Sequence, residues 1–296
     1  MNWMTIKGIR LEVRQIAGST HLAPLVFLHE GLGSVSLWTQ RGVDWPAEVC
    51  KATGRAGVVY SRRGYGQSEP VVDVRGEPAE HNGKRSGRLL PDYMHHEAWD
   101  VLPALLDALQ ISKPVLLGHS DGATIALLHA SRHPVVACIA MAPHVLVEDI
   151  AVQAIAQATV AFERSEGPPR ASSAPSGGSE AHEVGSVGAK TSGGLRERLG
   201  RYHAVVDVAF WQWNDIWLSE GFRSFDIRED CRRIGAPLLL IQGLDDEYGT
   251  MRQLDEIALV APHARQLRLA ACGHSPQRDQ PEKTVEAIAD FLQHID

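Results

Sequence analysis

The chain has few cysteines, no strongly basic stretch and no long apolar run, and each shortage closes off a class of protein. Its four cysteines, Cys50, Cys138, Cys231 and Cys272, are scattered and form no CxxC pair. Buried thiols in a reducing compartment are therefore expected, rather than a disulfide frame or a metal site. The formal net charge is −7, and no run of Lys and Arg offsets it locally. Nucleic acid and anionic membrane both demand a basic face, so neither is an expected partner. No segment reaches membrane-spanning length, and Met1–Arg14 lacks the apolar core of a signal peptide, which makes the cytoplasm the expected location. There is no G-x-G-x-x-G after a strand, no phosphate-binding P-loop, and no H-E-x-x-H or H-x-H spacing. No cofactor and no metal are expected.

What is present is an ordinary globular composition, 44% hydrophobic and 22% charged over 296 residues, enough to bury a sizeable core without staples. Short apolar runs flanked by turn residues read as buried strands at Ile9–Ile16, Pro24–His29, Gly57–Ser61, Pro114–Gly118, Val135–Ala142, Pro237–Gln242 and Gln266–Ala270. Helical spacing lies between many of them, at Asp92–Leu109, Asp121–His133, Met251–Val260 and Glu282–His294. This alternation predicts an α/β fold with a mostly parallel central sheet flanked by helices.

The alternation stops between Pro143 and Arg233. Leu146–Phe162, Leu195–His203 and Val206–Leu218 have helical spacing with no convincing strand among them, which reads as an inserted helical cap. The expected division is a core of residues 1–143 and 233–296 with a cap at 144–232. Within the cap, 165–194 is rich in Ser, Gly and Pro, and disorder is expected there. Asp73–Leu89 reads as a second, less extreme polar loop.

Chemistry concentrates at Gly118-His119-Ser120-Asp121-Gly122, a G-x-S-x-G that follows the apolar run Pro114–Leu117 and opens the helical run Ala123–Ala130. That strand–turn–helix setting is what a nucleophile elbow needs: the serine sits in a strained turn, and the helix N-terminus favours a developing oxyanion. The plain alternative is a serine that merely caps a helix.

Upstream, Leu25-Val26-Phe27-Leu28-His29-Glu30-Gly31-Leu32-Gly33-Ser34 is a strand running into a glycine-bearing loop. Here the chain resembles the α/β-hydrolase superfamily, whose corresponding strand ends in a His-Gly-x oxyanion loop. The resemblance implies that the backbone N–H groups of Gly31 and Asp121 receive the oxyanion, with His29 as an orienting residue. Glu30 departs from the pattern, which has glycine there, and its carboxylate is expected to pair with Arg62 or Arg63. Ser61-Arg62-Arg63-Gly64-Tyr65-Gly66-Gln67-Ser68 resembles the superfamily's D-x-R-G-x-G-x-S loop, with Ser61 in place of the aspartate.

Downstream, Leu238–Ile241 leads to Gln242-Gly243-Leu244-Asp245-Asp246. The superfamily's spacing selects Asp246 as the acid that orients the histidine, with Asp245 as the alternative. Cys272-Gly273-His274-Ser275-Pro276 follows the last strand, and the resemblance makes His274 the general base. Ser120, Asp246, His274 is the chain order of α/β-hydrolases. The resemblance covers about Pro24 to the C-terminus apart from the polar insert.

Phe210, Trp213 and Trp217 share one face of a cap helix. They either line an apolar pocket or pack the cap onto the core. Leu32, Trp38 and Met141 are further pocket candidates. The expected activity is hydrolysis of a small, apolar carboxylic ester through an acyl-serine. The alternatives are carbon–carbon, thioester or lactone cleavage by the same residues, or a small-molecule receptor with slow turnover. The oligomeric state stays open.

Overall fold

A computed structural model describes residues 2–166, 193–293 and 295. Its main sheet has eight strands: β1 (Asn2–Ile6), β2 (Ile9–Ile16), β3 (Leu25–Leu28), β4 (Gly57–Tyr60), β5 (Val115–His119), β6 (Ala137–Met141), β7 (Leu238–Gly243) and β8 (Arg265–Leu269). Their spatial order is β1-β2-β4-β3-β5-β6-β7-β8. The β1–β2 and β2–β4 pairs are antiparallel, and every other pair is parallel. The mostly parallel sheet expected from the alternation of runs is the one observed.

Side chains alternate along the central strands, so two apolar layers form on opposite faces. Val26, Leu28, Leu116, Cys138, Ala140 and Leu240 join one cluster. Leu25, Phe27, Leu117, Ile139, Met141 and Ile241 join the other. Both faces need cover, because central parallel strands are apolar on each side. On the first face it comes from the 93–108 helical segment and from α2 (Asp121–Ala130). On the second it comes from α1 (Trp45–Thr53) and the C-terminal helix Pro281–Leu292. All four cysteines are free and buried.

Several elements differ from the sequence expectation. The 92–109 helix is broken by a π turn at Glu97–Val101. Pro103, in the first turn of the following segment Leu102–Ala108, lacks an N–H and crowds the preceding turn. The 73–89 loop contains a hairpin, Ala79–His81 with Lys84–Ser86, turned by Asn82 and Gly83, both at positive φ. The short helix α1 begins at the Asp44 cap, with Pro46 in its first turn.

Between β6 and β7 the described residues contain helices and no strand: α3 (Asp149–Glu163), α4 (Leu195–Leu199) and α5 (Val206–Trp217) are the longer ones. An antiparallel bridge from Leu146 to Asp226 pins the outgoing and returning chain together. The disorder expected at 165–194 falls outside the described residues except at its two ends. Among the described residues, no helix is long and apolar enough to cross a membrane.

Candidate active site

β3, β5 and β6 are held in register so that Leu28 lies opposite Gly118, and His119 opposite Met141. Their following loops therefore emerge side by side. Ser120 stands between β5 and α2 with φ 54° and ψ −119°, a conformation that costs a non-glycine residue ~1–3 kcal/mol. The surroundings enforce it. The Ser120 amide donates to the Met141 carbonyl at 2.9 Å, and the Ser120 carbonyl accepts from the Thr124 amide at 3.0 Å. A Cβ at Gly118 would overlap the Gly122 carbonyl, and one at Gly122 would overlap the Leu28 carbonyl. The glycine spacing of the motif is thus a steric requirement of the turn.

Three side chains meet at this rim. Ser120 Oγ lies 2.9 Å from His274 Nε2, and His274 Nδ1 lies 2.8 and 3.0 Å from the two Asp246 oxygens. A carboxylate can only accept, so Nδ1 carries the proton and Nε2 turns a lone pair to the serine hydroxyl. Asp246 is itself fixed, accepting from the Tyr248 amide at 2.8 Å, the Gly249 amide at 3.2 Å and Gln242 Nε2 at 3.1 Å. Burial alone would lower the His274 pKa, but the Asp246 charge and hydrogen bond outweigh it and hold the value above the ordinary one. Burial likewise works against the Asp246 carboxylate, and the His274 charge prevails to keep its pKa below the ordinary one. Asp245, the alternative acid, is exposed and makes no contact with His274.

The two amides expected to receive an oxyanion lie at this end of the sheet. Asp121 opens α2, and Gly31 follows β3 and lines the same cavity as Ser120. Neither amide is taken up by an acceptor among the described residues. Arg62 joins the two loops. Its guanidinium donates to the carbonyls of His29 (3.1 Å) and Glu30 (3.0 Å) and lies 3.6 Å from the Asp121 carboxylate. Tyr93 Oη (2.7 Å) and Trp217 Nε1 (3.3 Å) also donate to that carboxylate. His29 accepts the Arg62 amide at Nε2 and donates from Nδ1 to the Glu30 carbonyl. Burial and Arg62 hold its pKa well below the ordinary value, so it is a neutral orienting ring.

Glu30 corrects one expectation. Arg62 takes its carbonyl, while its carboxylate turns to His119 Nδ1 at 3.2 Å. Arg63 pairs instead with Glu69. His119 Nε2 donates to the His274 carbonyl at 2.7 Å, so this pair braces the loop that carries His274. Burial opposes the Glu30 charge, but the His119 hydrogen bond and charge lower its pKa to about 2. The carboxylate absent at Ser61 comes from Glu12 on β2, whose Oε2 accepts from Ser61 Oγ (2.7 Å) and the Gln67 amide (2.9 Å).

A cavity of about 220 Å³ opens on Ser120 and His274 beneath α3, α4 and α5. Leu32, Trp213 and Trp217 line it. A Cβ at Gly31 would overlap the Trp213 indole, so the loop after β3 packs directly on that wall. Trp38, Met141 and Phe210 are corrections. Trp38 stacks on Trp45 and, with Met141, belongs to the apolar layer on the opposite face. Phe210 of α5 is fully buried and stacks on Phe162 of α3, 3.7 Å between ring centres. His144, Tyr248 and Arg198 also line the cavity and were not anticipated. His144 follows the positive-φ turn at Ala142, and its pKa falls to about 3 through burial and the nearby His274 charge.

A family model described as "Alpha/beta hydrolase family" matches residues 25–287. No curated protein gives a significant match. Among solved structures, the enol-lactonase of Burkholderia xenovorans LB400 superposes with a TM-score of 0.66 at 18% identity, covering 99% of this chain and 100% of that one. A carboxylesterase of the thaumarchaeon Nitrososphaera gargenis gives 0.65 at 17%, covering 99% and 98%. A meta-cleavage product hydrolase of Pseudomonas fluorescens IP01 gives 0.62 at 13%, covering 99% and 97%. At such identities the structures establish the shared fold, and the family model goes further. With residues 25–287 matched, the chain belongs to the alpha/beta hydrolase family.

Proposed function

We propose that the protein is a serine hydrolase of small carboxylic esters or lactones, acting through an acyl-Ser120 intermediate. The observation that carries this reading is the continuous line from Ser120 Oγ through His274 to Asp246, with Ser120 and His274 lining a cavity. Ser120 Oγ attacks the substrate carbonyl carbon as His274 Nε2 takes the hydroxyl proton. The carbonyl π electrons move onto oxygen, and the Gly31 and Asp121 amides receive that charge. Asp246 stabilises the imidazolium. Collapse of the tetrahedral intermediate breaks the bond to the alcohol oxygen, which leaves with the proton from His274. A water molecule then repeats the sequence on the acyl-serine: His274 takes its proton, the Ser120–acyl bond breaks, and Ser120 recovers its proton from His274.

The cavity, about 220 Å³, is smaller than the ~300–1,000 Å³ of drug-sized ligand sites, which supports a short substrate. The walls from Leu32, Trp213 and Trp217 support an apolar body next to the scissile bond. The experiment is a panel of p-nitrophenyl esters of rising acyl length, run on the wild type and Ser120→Ala. A phenyl-substituted vinylogous diketone serves as the carbon–carbon comparator. The expected result is turnover of short esters that Ser120→Ala reduces by ~10⁶, with labelling of Ser120 by a fluorophosphonate. Ester turnover that survives Ser120→Ala, or selective cleavage of the diketone, would overturn the reading.

A further inference from the structure

Among the described residues, four charged side chains line the cavity over Ser120: Glu30, Glu247, Arg198 and Arg278. Three are engaged. Glu30 meets His119, Glu247 accepts the His274 amide at 3.1 Å, and Arg278 donates to Asp279 at 2.9 Å. Arg198 differs. One Nη donates to the Gly193 carbonyl at 3.3 Å, its Nε is buried without an acceptor, and among the described residues no carboxylate pairs with it. Leu195 and Leu199 flank it on α4, and Ala158 and Ala161 of α3 share the same lining.

A guanidinium beside apolar side chains has lost part of its hydration, and among the described residues only the long bond to the Gly193 carbonyl replaces any of it. An anion entering the cavity would supply the missing acceptor. The planar fork of arginine matches a carboxylate in particular, through two parallel N–H···O bonds. We propose that Arg198 forms a carboxylate subsite in the catalytic cavity. The preferred substrates are then short esters or lactones bearing a carboxylate away from the scissile bond, which yield dicarboxylic or hydroxy-acid products. The substrate half of this inference rests on the hydrolase reading, whereas the binding half does not.

Two measurements on the full chain separate them. The first compares kcat/KM for monomethyl glutarate and monomethyl adipate with methyl pentanoate and methyl hexanoate, following acid release by titration. The second measures adipate binding to Ser120→Ala by calorimetry, with and without Arg198→Met or Arg198→Lys. A charge-assisted pair should favour the carboxylate esters by about 10- to 100-fold, mainly through KM. That ratio should fall towards one in Arg198→Met and be partly retained in Arg198→Lys. Adipate should bind the Arg198→Met form at least ~10-fold more weakly, since each tenfold corresponds to about 1.4 kcal/mol.

Equal kcat/KM for charged and neutral esters in the wild type would overturn the subsite. So would adipate binding that is absent or indifferent to Arg198. Neutral esters cleaved through Ser120, with no carboxylate advantage, would leave the hydrolase reading standing alone. Arg198-dependent adipate binding without turnover of any ester would do the reverse.

Discussion

Replacing Asp246 by asparagine tests the proposed chemistry where its geometry is tightest. The two carboxylate oxygens sit 2.8 and 3.0 Å from His274 Nδ1. Asparagine keeps one acceptor for that N–H but removes the charge that stabilises the imidazolium formed as Ser120 attacks. The incoming amide NH₂ also has no comfortable place. One oxygen position faces the Tyr248 and Gly249 amides, and the other faces Gln242 Nε2, which is pinned to the Gly249 carbonyl at 2.7 Å. With charge centres ~4 Å apart and an effective dielectric of ~20, the lost attraction is about 4 kcal/mol. That corresponds to ~10³ in rate. The same change in serine proteases costs ~10⁴. The assay is kcat/KM on a short p-nitrophenyl ester from pH 5 to 9. His274 works only when neutral, and Asp246 raises its pKa above the ordinary 6.5. The wild-type acid limb should therefore fall above that value and move to lower pH in Asp246→Asn. Asp245→Asn, at an exposed neighbour, should stay within about twofold of wild type. A loss below tenfold in Asp246→Asn, or an equal loss in Asp245→Asn, would refute the reasoning.

Two further predictions concern the loop after β3. Glu30→Gln should lower the melting temperature at pH 7, because it removes a carboxylate whose pKa is brought from 4.5 to about 2. A depressed carboxyl stabilises above its unfolded pKa and loses that contribution as pH falls through the folded value. The melting-temperature gap to wild type should therefore narrow from pH 5 to pH 3, and calorimetry showing a constant or widening gap would contradict the pairing with His119. Gly31→Ala would drive a methyl group into the Trp213 indole, an overpacking of ~1–3 kcal/mol. Displacing one oxyanion donor should lower kcat by ~10²-fold; steady-state kinetics with kcat unaltered would remove Gly31 from that role.

The strands were legible because each apolar run is bracketed by turn residues, and Ile9–Ile16 is found with the bounds the sequence suggested. β1 was not, since this edge strand is mostly exposed, with Trp3 at the surface. Asn82-Gly83 carried a readable hairpin signal, hidden by the polarity of its surroundings. In the site, Ser120 stood out by its strand–turn–helix setting, Asp246 and His274 were named from the superfamily's spacing, and the structure brings the three side chains together. The pocket was not legible. Phe210, Trp213 and Trp217 share a helical face, but spacing does not say what that face meets: Phe210 stacks on Phe162, while the two tryptophans border the cavity. Met141 was within reach, since it lies two residues along β6 from Ile139 and so faces the layer opposite α2. The Glu30–His119 contact joins the loop after β3 to the end of β5, 89 residues away, and leaves no trace in local pattern.

The departure at Ser61 shows how a function can be displaced in sequence while staying in place in space. Ser61 Oγ donates to Glu12 Oε2, which also accepts the Gln67 amide, and the Ser61 amide donates to the Glu12 carbonyl at 3.0 Å. A carboxylate on β2 therefore does for this loop what one on the loop itself would do. It matters because the neighbouring Arg62 spans the His29 and Glu30 carbonyls and Asp121. Glu12→Gln should destabilise the protein by ~1–3 kcal/mol: the amide oxygen can keep both donors, but the charge that strengthens those bonds is lost and the NH₂ group takes the buried Oε1 position, which has no partner among the described residues. Ser61→Asp alone should also destabilise, by setting two buried carboxylates side by side. Combined, the two changes should cost at least ~1 kcal/mol less than their sum in a urea-denaturation cycle, because the new aspartate inherits the Gln67 amide. A strictly additive cycle would mean that Glu12 only fills space beneath the loop, and that Arg62 is positioned without it.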